Sequence, residues 1–221
     1  MNDLPDTRLR NMDARRQRIL DEACRMLADG GTGGLTLRGL AENSGVTVPT
    51  IYNLVGCKDQ VVTSLIAAAL DRLDEALLGL PSARGIARAE AAVGASVTLF
   101  FGEPGRYGAV FRALQEMQGS KEDRLLGPLF RRAGEVYCQA VSEAQKDGDL
   151  RGRLRAVPLG HHILHAQIEG FRLWGVGTLA APVVRARAFY ALYVSLLADA
   201  TKPVRKRLLE QLRESESILD T

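Results

Sequence analysis

The chain has 221 residues, of which 46% are hydrophobic and 25% are charged, and its formal net charge is +3. This balance is typical of a soluble globular protein and excludes a disordered or fibrous chain, while the length allows one domain or two unequal ones. A net charge of +3 is too small to indicate a nucleic-acid partner by itself.

The sequence offers no apolar stretch of the length that a signal peptide or a spanning helix needs, since its longest apolar runs resemble residues 192–200. The three cysteines, Cys24, Cys57 and Cys138, are widely spaced and form neither a C-x-x-C metal pair nor a disulfide framework. We therefore expect a cytoplasmic protein that does not contact a membrane.

The start of the chain is locally cationic. Five arginines within eleven residues are opposed only by Asp13: Arg8, Arg10, Arg15, Arg16 and Arg18. This pattern fits a basic arm that contacts DNA phosphates, and it fits a solvated, partly disordered tail equally well.

Hydrophobic periodicity predicts helices along the whole chain, and no segment has the pattern of a strand. The first helix is expected over 13–29 and ends at the glycine pair 30–31. Thr36 and Thr47 can each cap a short helix, and Ser44-Gly45 separates the two. Longer helices are expected over 58–78, 83–101, 105–118, 121–146, 157–174, 182–200 and 202–219.

The two short helices have the residues of a helix-turn-helix. This motif needs a small residue where the helices cross, a residue tolerant of left-handed φ in the turn, and apolar residues that fix the second helix. Ala41, Gly45, and then Val46, Ile51 and Leu54 supply these in order. The spacing therefore favours a DNA-binding head.

With the apolar residues turned inward, the outer face of the second helix carries Thr47, Val48, Thr50 and Asn53. Asparagine can pair with adenine, and threonine can donate to a base or set its methyl against thymine. The alternative is that Thr47 only caps the helix and Asn53 only ends it.

Residues from about Ala14 to Leu65 resemble the TetR family of bacterial regulators. Three runs carry the resemblance: 36–41 (TLRGLA), 45–52 (GVTVPTIY) and 58–62 (KDQVV). The sequence departs from the family at Val55-Gly56-Cys57, where an aromatic residue, a variable residue and a serine are common, and at Leu54, where histidine or tyrosine is frequent.

The resemblance implies an all-α protein in which a three-helix DNA-binding head, with the basic arm, occupies 1–57. A helical effector-binding and dimerisation domain then occupies 58–221. Carried over by position, the residues expected to contact the DNA backbone or the groove are Thr36, Arg38, Thr47, Pro49, Thr50, Tyr52, Asn53 and Lys58. The implied partner is a pseudo-palindromic double-stranded operator, which a homodimer reads through two successive major grooves.

The second domain shows no arrangement typical of an enzyme, so we expect none. His161, His165 and Glu169 share one helical face, next to His162. The sequence shows no cysteine or further histidine placed to complete the coordination shell of a metal ion. We therefore expect neither a metal nor a cofactor. These histidines more plausibly pair across an interface or serve as polar groups in a pocket.

Aromatic residues gather in the middle helices, where a helical body can leave an apolar cavity. Core packing is the alternative explanation for each of them. A pocket would favour an apolar or aromatic effector, with candidate contacts at Phe100, Tyr107, Phe111, Glu116, Tyr137, His165, Glu169 and Trp174.

The segments 157–174 and 182–200 carry small residues that permit close helix packing, namely Gly160, Ala166, Gly170 and Ala186. The resemblance places the dimer interface here. The resulting hypothesis is a repressor that an effector releases from its operator. The alternatives are a regulator with no effector, and a helical small-molecule carrier or protein-interaction module.

Overall fold

A computed structural model describes residues 4–117 and 120–219 and confirms the all-α class. The described chain contains no strand, apart from an isolated bridge between Leu150 and Ala200. Its ten helices are α1 (Leu4–Gly34), α2 (Leu37–Ser44), α3 (Val48–Leu54), α4 (Lys58–Leu78), α5 (Gly85–Gly102), α6 (Pro104–Glu116), α7 (Ser120–Lys146), α8 (Ala156–Gly175), α9 (Ala181–Leu197) and α10 (Lys202–Leu219).

Helix α1 starts nine residues before the position that periodicity indicates. Gly31, with φ +61° and ψ −165°, breaks the helix near its end, as the sequence predicts. The predicted end of the sixth helix at Gln118 lies outside the described residues.

The chain forms two compact units, and each has its own core. The first comprises Met1–Ala69 and Pro104–Leu125, and the second Leu70–Glu103 and Leu126–Thr221. The functional boundary expected between Cys57 and Lys58 stays a prediction.

In the first unit, α1 packs against α2, α3 and α6. Its centre is made by fully buried aliphatic side chains, among them Ile19, Leu27, Leu40 and Ile51. Polar contacts join α1 to α6 along their length: Arg106 pairs with Asp21 at 3.1 Å, Arg112 donates to the Ala28 carbonyl at 2.9 Å, and the Thr32 hydroxyl donates to Glu116.

In the second unit, α9 packs against α5, α8 and α10. Helices α7 and α8 approach so closely that a Cβ on Gly160 would lie 2.5 Å from the Cys138 nitrogen. The loop before α8 is held by the buried Asp199 carboxylate, which accepts hydrogen bonds from the backbone of Gly152 and Arg153, both at 2.9 Å.

Of the four small residues expected at a helix interface, three pack within the chain. Gly160 faces α7, Gly170 lies against Val184 of α9, and Ala186 is buried, so Ala166 alone of the four stays exposed. Across residues 4–117 and 120–219, no helix combines the length and the hydropathy that a membrane span requires.

Candidate nucleic-acid interface

The turn between α2 and α3 has the geometry of a helix-turn-helix. Gly45 adopts the left-handed conformation, with φ 64° and ψ 37°. The amide of Val46 donates to the Ala41 carbonyl at 3.0 Å, which closes the end of α2. Ala41 is buried at this crossing, so a larger side chain would separate the helices.

Threonine caps begin both short helices, as the sequence predicts. Thr36 accepts a hydrogen bond from the Gly39 amide at 3.1 Å, and Thr47 accepts one from the Thr50 amide at 3.4 Å. Both capping residues have extended backbone, which is the usual N-cap conformation. Pro49 stands in the first turn of α3, where no intrahelical donor is needed.

Only one side of α3 packs against the core of the first unit. Ile51 and Val55 are buried against the first unit's core, while Thr47, Pro49, Tyr52 and Asn53 are exposed. Tyr52 keeps 55% of its surface accessible although it is a large aromatic residue. This helix therefore presents a polar outer face with an exposed phenol.

Two of the residues that are predicted to contact DNA have polar contacts with neighbouring side chains. Thr50 is half-buried, and its hydroxyl lies 2.9 Å from the Thr47 hydroxyl, so the two threonines form one polar group at the start of α3. Arg38 is 88% exposed and pairs with Glu42 at 3.3 Å one turn later on α2. An exposed pair of this kind contributes little to stability, so the guanidinium can exchange its partner for a phosphate.

A hydrogen bond between two side chains joins α2 to α1, and the sequence did not predict it. Glu22 accepts a hydrogen bond from the Asn43 side chain at 2.7 Å. The hydrogen bond and charge of Arg25, one turn away on α1, lower the pKa of Glu22 below its ordinary value. Residues 22 and 43 are too far apart in sequence for a local pattern to reveal this pair.

The start of α4 has a side-chain cap at the point where the sequence departs from the family pattern. Gln60 accepts a hydrogen bond from the Cys57 amide at 2.8 Å, which is half of a capping box. Gly56 adopts φ +89°, which favours glycine. A Gln three residues after the cap is a visible sequence signal for this feature.

Lys58, the first residue of α4, is half-buried and lines a cleft of about 540 Å³ within the first unit. Glu116, a candidate ligand contact, lines the same cleft beside Thr32, which donates a hydrogen bond to it. On α1, the exposed residues of the cationic segment are Arg10, Arg15, Arg16 and Arg18. The side chain of Arg8 lies outside the described residues.

The remaining candidate ligand contacts fall into both units. Tyr107 and Phe111 belong to α6 of the first unit, where Tyr107 is buried and Phe111 half-buried. In the second unit, Phe100 meets Phe171 edge-on with ring centroids 4.8 Å apart, and Phe101 meets Trp174 at 4.9 Å.

Tyr137 is buried in the second unit, and its hydroxyl donates to the Gln167 amide oxygen at 2.9 Å. His165 and Glu169 are exposed on α8, together with His161 and His162. In the described chain no group of three or more His, Cys, Asp or Glu residues is arranged to hold a metal ion. The ligand role of these residues stays a prediction.

Comparison with known proteins gives a consistent result. Residues 19–65 match the family described as "Bacterial regulatory proteins, tetR family". The HTH-type transcriptional regulator Rv1816 of Mycobacterium tuberculosis is 29% identical over 150 residues, which are 63% of this chain and 62% of that protein. The chain thus spans less than two thirds of the length of this relative.

Solved structures share the fold. A TetR-family transcriptional regulator from Marinobacter aquaeolei aligns with a TM-score of 0.67 at 12% identity, covering 90% of this chain and 98% of its own. SmeT in complex with triclosan aligns with a TM-score of 0.65 at 16% identity, covering 86% and 94%. The family match covers residues 19–65, where the helix-turn-helix lies, and the solved structures show that the chain shares their fold.

Proposed function

We propose that this protein is a dimeric, sequence-specific DNA-binding repressor that a small apolar or aromatic effector releases from its operator. The observation that carries the proposal is the one-sided burial of α3. Ile51 is buried in the core of the first unit, while Thr47, Tyr52 and Asn53 stay exposed on a helix that is capped at both ends. Such a helix fits the major groove, and its side chains suit base edges and phosphates.

The residues on and around α3 fall into two groups, one suited to bases and one suited to phosphates. Asn53 and the Thr47–Thr50 pair offer donors and acceptors to bases. Arg38, Tyr52, Lys58 and the exposed arginines of α1 offer donors to phosphates, which set the position of the head without reading the sequence. Two such heads in a dimer would read the two halves of a pseudo-palindrome.

The effector part of the proposal draws on the second unit. Its aromatic side chains pack edge to face between α5 and α8, and aromatic side chains commonly line apolar ligand pockets. SmeT, which shares the fold, forms a complex with triclosan, an observation that concerns SmeT. An effector that binds better to the DNA-free arrangement of the dimer would lower operator affinity by its differential affinity for the two states.

The test is selection of bound duplexes from a random DNA library, followed by a salt series. We expect a short pseudo-palindrome for the wild-type protein. The variant Thr50→Ala/Asn53→Ala removes two proposed base contacts, so its affinity for that site should fall about thirtyfold or more, at about 1–3 kcal/mol for each contact. Its salt dependence should stay close to that of the wild type, because the phosphate contacts remain.

A matched control is Thr98→Ala/Thr178→Ala, which removes two exposed threonines of the second unit. This control should select the same sequence with the same affinity. If the wild-type protein bound DNA only weakly and without sequence preference, the regulator proposal would be wrong. A carrier or interaction module, which needs no DNA-reading face, would then explain the helical body better.

A further inference from the structure

The second unit contains a buried amide with an unused end. Gln167 on α8 is only 3% exposed, and its side-chain oxygen accepts the hydrogen bond from Tyr137. Its side-chain nitrogen is buried and has no hydrogen-bond partner among the described residues. The amide has two polar ends and Tyr137 engages one of them, so one end is left over whichever way the amide is turned.

An unused buried donor is costly, at about 1–3 kcal/mol relative to a donor with a partner. The folded chain recovers this cost if a partner from outside the chain fills the position. A Leu or Met side chain at this position would avoid this cost but would leave the buried Tyr137 hydroxyl without its acceptor, so the amide serves Tyr137 with one end only.

The surroundings of Gln167 indicate what that partner is. Gln167, Phe171 and Trp174 follow the spacing i, i+4, i+7 and therefore share one face of α8. Phe171 and Trp174 on that face meet Phe100 and Phe101 of α5. The polar amide thus stands about one helical turn, roughly 6 Å along the axis, from the first of four aromatic rings.

The charge of the surrounding groups limits further which ligand this face can bind. The groups that the contacts above bring together here, namely the amide, the Tyr137 phenol and the four aromatic rings, carry no charge. Burial raises the pKa of Tyr137 above its ordinary value, so the phenol stays protonated and can donate to Gln167. An anionic ligand would be buried here without a countercharge, which is strongly unfavourable.

We infer that this face binds a neutral, flat apolar compound with a carbonyl oxygen, which accepts a hydrogen bond from the Gln167 amide while its ring packs against Phe171 and Trp174. The inference rests on the proposed function, because it assigns the chemical class of the effector. It also adds Gln167, which sequence analysis passed over, as the residue that selects for the acceptor oxygen.

The test compares two probes of nearly equal shape, 2-acetylnaphthalene and 2-ethylnaphthalene, of which only the first has an acceptor. Trp174 is the one tryptophan in the sequence, so quenching of its fluorescence reports binding at this face. The measured quantity is the ratio of the two dissociation constants. We expect this ratio to shift about five- to tenfold against the ketone in Gln167→Leu, since a neutral hydrogen bond contributes about 1 kcal/mol.

The matched control is Gln139→Leu, an exposed glutamine on α7, which should leave the ratio unchanged. Binding of both probes with the wild-type ratio in Gln167→Leu would overturn the role of Gln167. Failure of the ketone to quench wild-type Trp174 up to its solubility limit would overturn the site. Thermal melts check that each variant folds.

If Gln167→Leu did not fold, the wild-type protein would still decide the question. The side-chain amide resonances of Gln167 in an NMR spectrum should move on addition of 2-acetylnaphthalene and much less on addition of 2-ethylnaphthalene, and equal shifts would contradict the inference. All of these measurements use protein without DNA. A protein that binds the ketone but no operator would therefore refute the proposed function alone, and the reverse result would refute this inference alone.

Discussion

Gly160 lies where α7 and α8 of the second unit approach each other closely. A Cβ there would lie 2.5 Å from the Cys138 nitrogen and 2.7 Å from its Cα, and backbone atoms cannot yield as a flexible side chain can. We expect Gly160→Ala to lower the free energy of unfolding by about 1–3 kcal/mol, because α7 and α8 must separate to admit the methyl group. Urea unfolding of the variant and the wild type measures this difference.

Gly94 of α5 is the matched control, since nothing lies within 4 Å of the position of its Cβ. Gly94→Ala should stabilise the protein by about 0.5–1 kcal/mol, because alanine loses less backbone entropy in a helix. Equal effects of the two substitutions would contradict the close approach at Gly160.

Helix α5 has no cap of its own, and a side chain from another helix serves instead. Its N-cap residue, Arg84, makes no side-chain capping bond, while Glu143 of α7 accepts hydrogen bonds from the Gly85 amide at 3.0 Å and from Arg88 at 3.2 Å. The bond from the Gly85 amide, with those from the side chains of Gln139 and Arg88, lowers the pKa of Glu143. The folded protein therefore favours the ionised carboxylate.

The sign of the pH dependence follows from the lowered pKa. Glu143 contributes stability above its ordinary pKa of about 4.5, and this contribution is lost as the pH falls through the lower value in the folded state. We expect Glu143→Gln to cost about 1–2 kcal/mol at pH 7 and progressively less below pH ~4.5. Urea unfolding across this range measures it, with the exposed Glu135→Gln as control. A constant difference at all pH values would contradict the assignment.

The ends of some helices could be predicted from the sequence, and the caps of others could not. The helices α2 and α3 have the expected ends because their caps and breaks are local: Thr36 and Thr47 cap their own helices, and Gly45 supplies the turn. The cap of α5 comes from a residue 58 positions along the chain, which periodicity cannot reveal.

The candidate sites show the same division. The outer face of α3 could be read from the sequence because burial of Ile51 fixes which residues point outward. The unpaired amide nitrogen of Gln167 could not be read from the sequence, because it depends on which side chains the neighbouring helices place beside it. Gly160 has the small side chain expected at a dimer interface, yet it packs against α7 of the same chain.

For the whole molecule, the proposed operator contact requires two heads at a fixed separation, about 34 Å for successive major grooves. The exposed surface of α8 is the candidate for the contact between protomers. It combines Ala166 with His161, His165 and Glu169, and Val157 near the start of the helix is 56% exposed. The short side chain of Ala166 would let a second copy of α8 approach closely at this point.

We therefore expect Ala166→Arg to convert the proposed dimer into monomers, because it would place a long charged side chain where the two helices are proposed to meet. A buried charge without a partner costs about 3 kcal/mol or more, which corresponds to more than a hundredfold weaker self-association. Sedimentation velocity measures the state of association. Operator affinity should fall with it, because a monomer reads one half-site. The control is Ala87→Arg, at an exposed alanine of α5, which should stay dimeric. A dimeric Ala166→Arg protein with wild-type affinity would exclude this face of α8 as the interface.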